Sequence, residues 1–141
     1  MNLTVNVKIS PGLASNQMGI RVVAGIQNGI QELVELGEQR LDEMLRPRPA
    51  GVYLSVTEAK KGHASTGHYR RNVNGRVERL HGLITDGGVI YGPWLEGVSS
   101  RNAATRFKGY ASFRRTGQYL EKLAPIVLEK QIRRAVNVGS V

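Results

Sequence analysis

The chain has 141 residues, 40% of them apolar, and a formal net charge of +9. This length favours one domain with a real core. The absence of cysteine excludes a disulfide scaffold, a thiolate metal site and a cysteine nucleophile. No apolar run reaches ~18 residues, so the sequence predicts no membrane span, and the N-terminus lacks the pattern of a signal peptide.

The charge is unevenly distributed along the chain. Residues 1–43 carry three cations and five acids, whereas residues 44–141 carry 17 cations and six acids. Such asymmetry bears on partners rather than on fold. Three interpretations stay open: a surface for nucleic acid, an oligomer in which the acidic element of one copy meets the basic face of the next, and a solvated basic surface.

The first part of the chain predicts a strand and a long helix. Apolar and polar residues alternate over 1–9, which is the period of a half-buried strand. Over 15–45 the apolar residues recur at helical spacing. Glycine costs roughly 1 kcal/mol inside a helix. Gly25, Gly29 and Gly37 therefore suggest either close packing against a neighbour or a break near Gly29, unless a poorly formed first half of the helix simply tolerates them. We expect the helix to place five side chains on the sheet: Val23, Ile26, Ile30, Leu33 and Leu41.

The middle of the chain predicts an antiparallel sheet over 52–97. Asn74-Gly75 is a strong hairpin signal, and Asp86-Gly87-Gly88 predicts a second turn. A polar, glycine-flanked loop over 60–67 is expected to be exposed. We expect the strands to be residues 52–56, 69–73, 76–85 and 89–91.

A basic loop over 98–115 and a helix over 116–136 complete the expected fold. Leu123 and Val127 should join the core, and Pro125 should either kink this helix or begin its main segment. The sequence therefore predicts a single α+β domain, 1–141, in which a long N-terminal helix and a C-terminal helix pack on a small antiparallel sheet.

Residues 91–119 concentrate aromatic and cationic side chains. Six of the eight aromatic residues and five cations lie there, and Glu96 is the only acid. Apolar anchors beside positive charge are typical of a docking surface. We expect Trp94 and Phe107 to anchor the loop 98–106, and Glu96 to form an ion pair rather than act as a general base. The predicted docking residues are Trp94, Glu96, Arg101, Arg106, Phe107, Lys108, Tyr110, Phe113, Arg114 and Arg115.

Two further groups are candidates for contacts. The acidic residues of the long helix could touch an adjacent subunit; they are Glu32, Glu35, Glu38 and Asp42. A basic group could face DNA, because arginine binds phosphate bidentately in a sequence-independent, salt-dependent manner; it consists of Lys60, Lys61, Arg70 and Arg71.

The sequence offers little catalytic chemistry. His63, His68 and His81 have no matching ligands nearby, whereas zinc usually takes three or four. No nucleophile-elbow, phosphate-loop, dinucleotide or metalloprotease motif occurs. We therefore expect no cofactor, no metal and no enzymatic activity. A small basic nuclease stays as an alternative, and it would require these histidines to cluster with arginine and glutamate.

The run Tyr91-Gly92-Pro93-Trp94-Leu95-Glu96-Gly97, followed by a basic loop, Phe107 and a C-terminal helix, resembles a known family. It is similar to the neck, or tail-completion, proteins of long-tailed bacteriophages, which include minor tail proteins of the lambda-like phages. The resemblance is sharpest over 91–115.

This resemblance implies a structural virion protein of the head–tail joint, acting in the neck, in tail completion or as a tail terminator. Such a protein would form a homo-oligomeric ring, with a hexamer favoured, around the DNA passage. Its partners would be other phage neck and tail proteins, with possible non-specific DNA contact, after assembly in the host cytoplasm. The alternative from the residues alone is a small basic nucleic-acid-binding module.

Overall fold

A computed structural model describes residues 1–46 and 67–138. The predicted α+β class is confirmed: a long N-terminal and a C-terminal helix pack against each other and against a small antiparallel sheet. In chain order the elements are β1 (Asn2–Asn6), a short 3-10 helix (Leu13–Ser15), α1 (Gln17–Met44), α2 (His68–Asn72), β2 (Asn74–Glu78), β3 (His81–Thr85), α3 (Gly92–Glu96), α4 (Ser100–Thr105) and α5 (Ser112–Asn137).

The two long helices approach closely at glycines, as predicted. A Cβ atom added at Gly25 would lie 2.6 Å from the Cα atom of Ile132 in α5. One added at Gly29 would lie 2.7 Å from a methyl group of Leu128. Gly37 is similarly tight against side chains of the sheet and α5. These glycines therefore set the distance between the backbones, and this contact offsets their cost in a helix.

The core lies between the two helices and one face of the sheet. Four of the five predicted α1 core residues are buried, and Ile30 and Leu33 are fully enclosed. Val23 is only half-buried. From α5, Val127 is buried and Leu123 packs at the edge of the same cluster. The helix face assigned from periodicity is therefore confirmed, apart from Val23.

The strand composition of the sheet differs from the prediction. The strand order is β1-β3-β2, with both pairings antiparallel. The N-terminal strand thus takes the place expected for residues 89–91, which form no strand. Residues 69–73 fall in and just after helix α2 rather than forming a strand. This helical turn buries Tyr69 in the core and places Arg70 in an ion pair with Asp42 of α1.

The hairpin turn is at Arg79-Leu80, not at Asn74-Gly75. Arg79 adopts a φ of 51°, in the left-handed region, and the residues on either side of this pair are opposite each other in β2 and β3. Gly75 instead lies inside β2 under α1, where an added Cβ would be 2.9 Å from the Glu38 carboxyl carbon. The glycine thus permits close approach of strand and helix.

The predicted basic loop contains regular structure. Residues 100–105 form α4, and α5 begins at Ser112, four residues before the predicted start. Pro125 lies inside α5, which continues through it. The expected strand at 52–56, together with Lys60, Lys61 and His63, lies outside the described residues. Within the described ranges, no helix has the length and apolar character needed to cross a membrane.

Candidate functional site

The cationic segment, residues 97–115, is mounted on aromatic anchors. Trp94 is 5% exposed, and its ring centroid lies 4.7 Å from that of Phe107. Phe107 in turn meets Tyr110 edge-on at 5.2 Å. The Trp94 Nε1–H group donates to Thr105 Oγ1 at 3.2 Å. The two rings therefore pack together, and Trp94 is bonded to the last residue of α4.

Asn102 holds the segment's backbone together. Its Nδ2 group donates to the carbonyl oxygens of Trp94 at 2.8 Å and of Phe107 at 2.7 Å. Its Oδ1 atom accepts from the Ser99 backbone N–H at 2.9 Å, which completes a capping box on α4. We did not single out Asn102 from the sequence, although a Ser followed three residues later by a polar amide was the available signal.

Within the segment, the chain closes on itself at a pair of glycines. Gly97 and Gly109 have φ angles of +85° and +81°, and a Cβ added at Gly109 would lie 2.6 Å from the Glu96 carbonyl carbon. The Tyr110 N–H group donates to the Leu95 carbonyl at 2.6 Å. Residues 97–109 therefore form a closed loop with a fixed base, which has little conformational freedom left to lose on binding.

Glu96 lies beneath the segment and not on its surface. It is 4% exposed, and its carboxylate accepts hydrogen bonds from the Ser112 hydroxyl and from the Phe113 N–H at 2.9 Å. It forms no ion pair with any described residue, so the expected ion pair is wrong. Burial raises the pKa of Glu96, while these hydrogen bonds oppose the shift. Glu96 thus caps the N-terminus of α5, where negative charge is favoured.

The predicted docking residues divide into an interior set and an exposed set. Trp94, Glu96 and Phe113 are buried inside the fold, so they support the surface without forming it. Phe107 and Tyr110 are half-buried. The exposed set, which forms no ion pair with any residue in 1–46 or 67–138, contains all five cations: Arg101, Arg106, Lys108, Arg114 and Arg115.

Most of the acidic residues of α1 have partners within the same chain. Glu32 binds Lys130 and Gln131 of α5. Glu38 accepts from the Gly75 N–H at 2.5 Å. These bonds hold α1 against α5 and against β2.

Asp42 and Arg70 form a bidentate pair at 2.6 and 2.7 Å. The hydrogen bonds from Arg70, together with its positive charge, lower the pKa of Asp42. A phosphate contact by Arg70 would therefore have to displace this carboxylate. Of the four predicted subunit contacts, Glu35 is the one left exposed, and it accepts a hydrogen bond from the Gln31 amide on the same helix. Arg71 is exposed on α2.

A buried polar cluster was not anticipated from the sequence. Asp86 is fully buried, and its Oδ1 atom accepts from the Gly88 N–H at 3.0 Å. Its Oδ2 atom and the Tyr69 hydroxyl are enclosed without a hydrogen-bond partner among the described residues. Burial is the main cause that raises the pKa of Tyr69, and the negative charges of Glu96 and Asp86 raise it further. The cluster brings Tyr69 of α2 and Asp86 beside the start of α3, because a Cβ added at Gly92 would lie within 4 Å of both.

The described residues contain no group of three or more histidine, aspartate or glutamate side chains that could hold a metal ion. His81 bonds to Asn6 at the hairpin, whereas the His68 ring lies 6.1 Å from that of Tyr91. Comparison of the chain with protein families, curated proteins and solved structures finds no match. Function must therefore be inferred from the cationic segment itself.

Proposed function

We propose that this protein is a structural component of the head–tail joint of a long-tailed bacteriophage. It would act as a neck, tail-completion or tail-terminator protein within a ring, with a hexamer favoured, around the DNA passage. It would have no cofactor and no catalytic role. The observation that supports this most is the cationic segment, a rigid, exposed and unpaired positive surface built on the same residues that carry the family resemblance.

The construction of the segment suits docking. Two glycines, the Asn102 bridges and the aromatic anchors fix its shape before any partner arrives, which lowers the entropy cost of association. Its exposed arginines favour an acidic partner and would mainly increase the association rate and fix the register. A closed ring needs two different complementary surfaces on each subunit, and the segment supplies one of them.

The test removes two cations from the segment. Arg101→Ala combined with Arg106→Ala should leave the thermal unfolding temperature unchanged, because both side chains are exposed. It should reduce the yield of joined, infectious particles in a complementation assay. The matched control is Lys8→Ala with Arg76→Ala, which removes the same charge from two exposed positions outside the segment. Normal assembly and infection by the segment variant would contradict the proposal.

The same cations also favour the alternative, a nucleic-acid-binding module. Against it, several of the aromatic rings that could stack on bases already have partners in the fold. Trp94 and Phe113 are buried, and Tyr119 contacts the Arg40 guanidinium, whose centre lies 4.3 Å from the ring centroid. Fluorescence anisotropy with a labelled duplex separates the two proposals. Steeply salt-dependent binding that the segment variant loses, with particle assembly unaffected, would favour the alternative.

A further inference from the structure

Among the described residues, strand β1 has one edge without a backbone partner. Two hydrogen bonds flank its pairing with β3: Val7 N–H donates to Leu80 O at 3.1 Å, and Asp86 N–H donates to Met1 O at 3.2 Å. They show that the odd-numbered residues of β1 are the ones bonded to β3. Hydrogen-bonded pairs alternate in an antiparallel ladder, so the backbone N–H and C=O groups of the even-numbered residues point away from β3. These residues are Asn2, Thr4 and Asn6. No residue in the described ranges forms a backbone hydrogen bond to them.

The opposite edge of the sheet is protected. The outward N–H group of Gly75 in β2 is bound by the Glu38 carboxylate of α1, and β2 also carries the charged residues Arg76 and Glu78. Proteins commonly protect sheet edges with charge, proline or a covering element. β1 has neither proline nor a charged residue between Asn2 and Asn6. The two edges of one small sheet therefore differ in whether they can accept another strand.

We propose that β1 is an interaction surface that pairs antiparallel with β1 of a second copy of this chain, about an axis at Thr4. Thr4 of one copy then lies opposite Thr4 of the other, and Asn2 lies opposite Asn6. This register pairs every outward residue of β1 and joins the two sheets into one. The proposal concerns the free protein and does not rest on the ring.

In this register, the side chains of two β1 strands fit beside each other. Side chains directly opposite each other share a face of the sheet, so Leu3 meets Val5 on the side facing the helices, where both are half-buried. No like charges face each other within the strand, although each copy carries a net charge of +9. A single short strand buries less than the ~1,000 Å² of a stable interface. We therefore expect a weak dimer whose population depends on concentration.

Because the chain contains no cysteine, single cysteines can test the register. Residues in a bonded antiparallel pair have Cα atoms about 5.5 Å apart, within the disulfide range of roughly 4.4–6.8 Å. Thr4→Cys should therefore form a covalent dimer on mild oxidation. Asn2→Cys and Asn6→Cys alone should not, because four residues of strand separate the equivalent positions by ~13 Å, but a mixture of the two should cross-link. Cross-linking of Thr4→Cys no faster than an exposed Arg76→Cys control would overturn the proposal.

Sedimentation velocity over a concentration series tests the same pairing without disulfide cross-linking. Thr4→Pro removes an outward N–H group and no bond to β3, which is the position where an edge strand tolerates proline. Thr4→Lys places two ammonium groups opposite each other. Both variants should stay monomeric at concentrations where the wild type and the charge-matched Gln118→Lys, exposed on α5, form dimers. Near-ultraviolet circular dichroism confirms that each variant is folded.

The outcomes separate this proposal from the ring. A wild-type protein that is monomeric at every concentration, or a folded Thr4→Lys that dimerises normally, would refute pairing through β1. If the Thr4 variants lose the dimer but still complement particle assembly, the strand pairing holds for the free protein alone. If particles fail only in the Arg101 and Arg106 variant, the cationic segment carries assembly independently of β1.

Discussion

The structural role of Glu96 follows from its burial. Its neighbours in sequence, Trp94 and Arg101, suggested a surface ion pair, but α3 directs the carboxylate under the first turn of α5. There it satisfies the Phe113 N–H group, one of the backbone donors that a helix start leaves without a partner in the helix. The residue thus couples the Tyr91–Gly97 motif to the C-terminal helix.

The first prediction concerns this cap. Glu96→Ala leaves the Phe113 N–H group buried without its acceptor, which should cost about 1–3 kcal/mol of unfolding free energy. The raised pKa of Glu96 means that its contribution to stability is present below the usual value of 4.5 and lost as pH rises through the folded-state pKa. Glu96→Gln should lack that pH dependence. Urea unfolding from pH 4 to pH 8 measures both effects, and parallel pH profiles for wild type and Glu96→Gln would contradict the assignment.

At the level of elements, the packing of α1 on α5 depends on small residues. Gly25→Ala should destabilise the protein by ~1–3 kcal/mol through overpacking, since the new Cβ would press on the Ile132 backbone, and this should exceed the gain of about 1 kcal/mol in helix propensity. Gly12→Ala is the control, because it has open space around it and a φ of −90°. Thermal and urea denaturation measure the difference. Equal stabilities for the two variants would show that the helices can separate at no cost.

A second prediction at this level concerns the pair between Asp42 of α1 and Arg70 of α2. The lowered pKa of Asp42 means that the stability from this pair is present above the usual value of 3.8 and lost as pH falls through the folded-state pKa. Asp42→Asn should therefore be less stable than wild type at pH 7, and this difference should shrink in acid. The urea midpoint measured between pH 2.5 and pH 7 tests it. A constant difference across that range would indicate a packing effect instead.

For the whole molecule, most of the acidic residues on α1 are bonded to other elements of the same chain. Reversing the charge of Glu38 or Asp42 would break bonds within the monomer and so lower its stability. Of Glu35, Glu38 and Asp42, Glu35 is the exposed one and can be changed without disturbing the fold.

The corresponding prediction compares two charge reversals on one helix. Glu35→Lys should change the unfolding free energy by less than about 0.5 kcal/mol but weaken ring assembly in a salt-sensitive way. Glu38→Lys should lower stability first, because Gly75 loses its acceptor. Denaturation and electron microscopy of assembled particles distinguish the two. Rings that form normally from Glu35→Lys at low salt would exclude this face as a subunit contact.

Periodicity alone was enough to predict the α+β class, the extent of α1 and most of its buried face, because Ile26, Ile30 and Leu33 recur at the spacing of a helix with one apolar side. The alternation over residues 1–9 likewise identified β1. At the site, the aromatic anchors and the exposed cations of the cationic segment were also predicted, since both depend on residue type within one short stretch.

Only the tertiary structure decided which distant residues became partners. β1 pairs with β3 across some eighty residues of sequence, and the carboxylates Glu38, Asp42 and Glu96 are each bound by groups from another element. Gly75 is of a residue type that is common in turns, but it lies in β2 beneath α1. A local pattern records what one residue prefers, whereas the partner of a charge or a strand edge depends on what packing brings within a few ångströms of it.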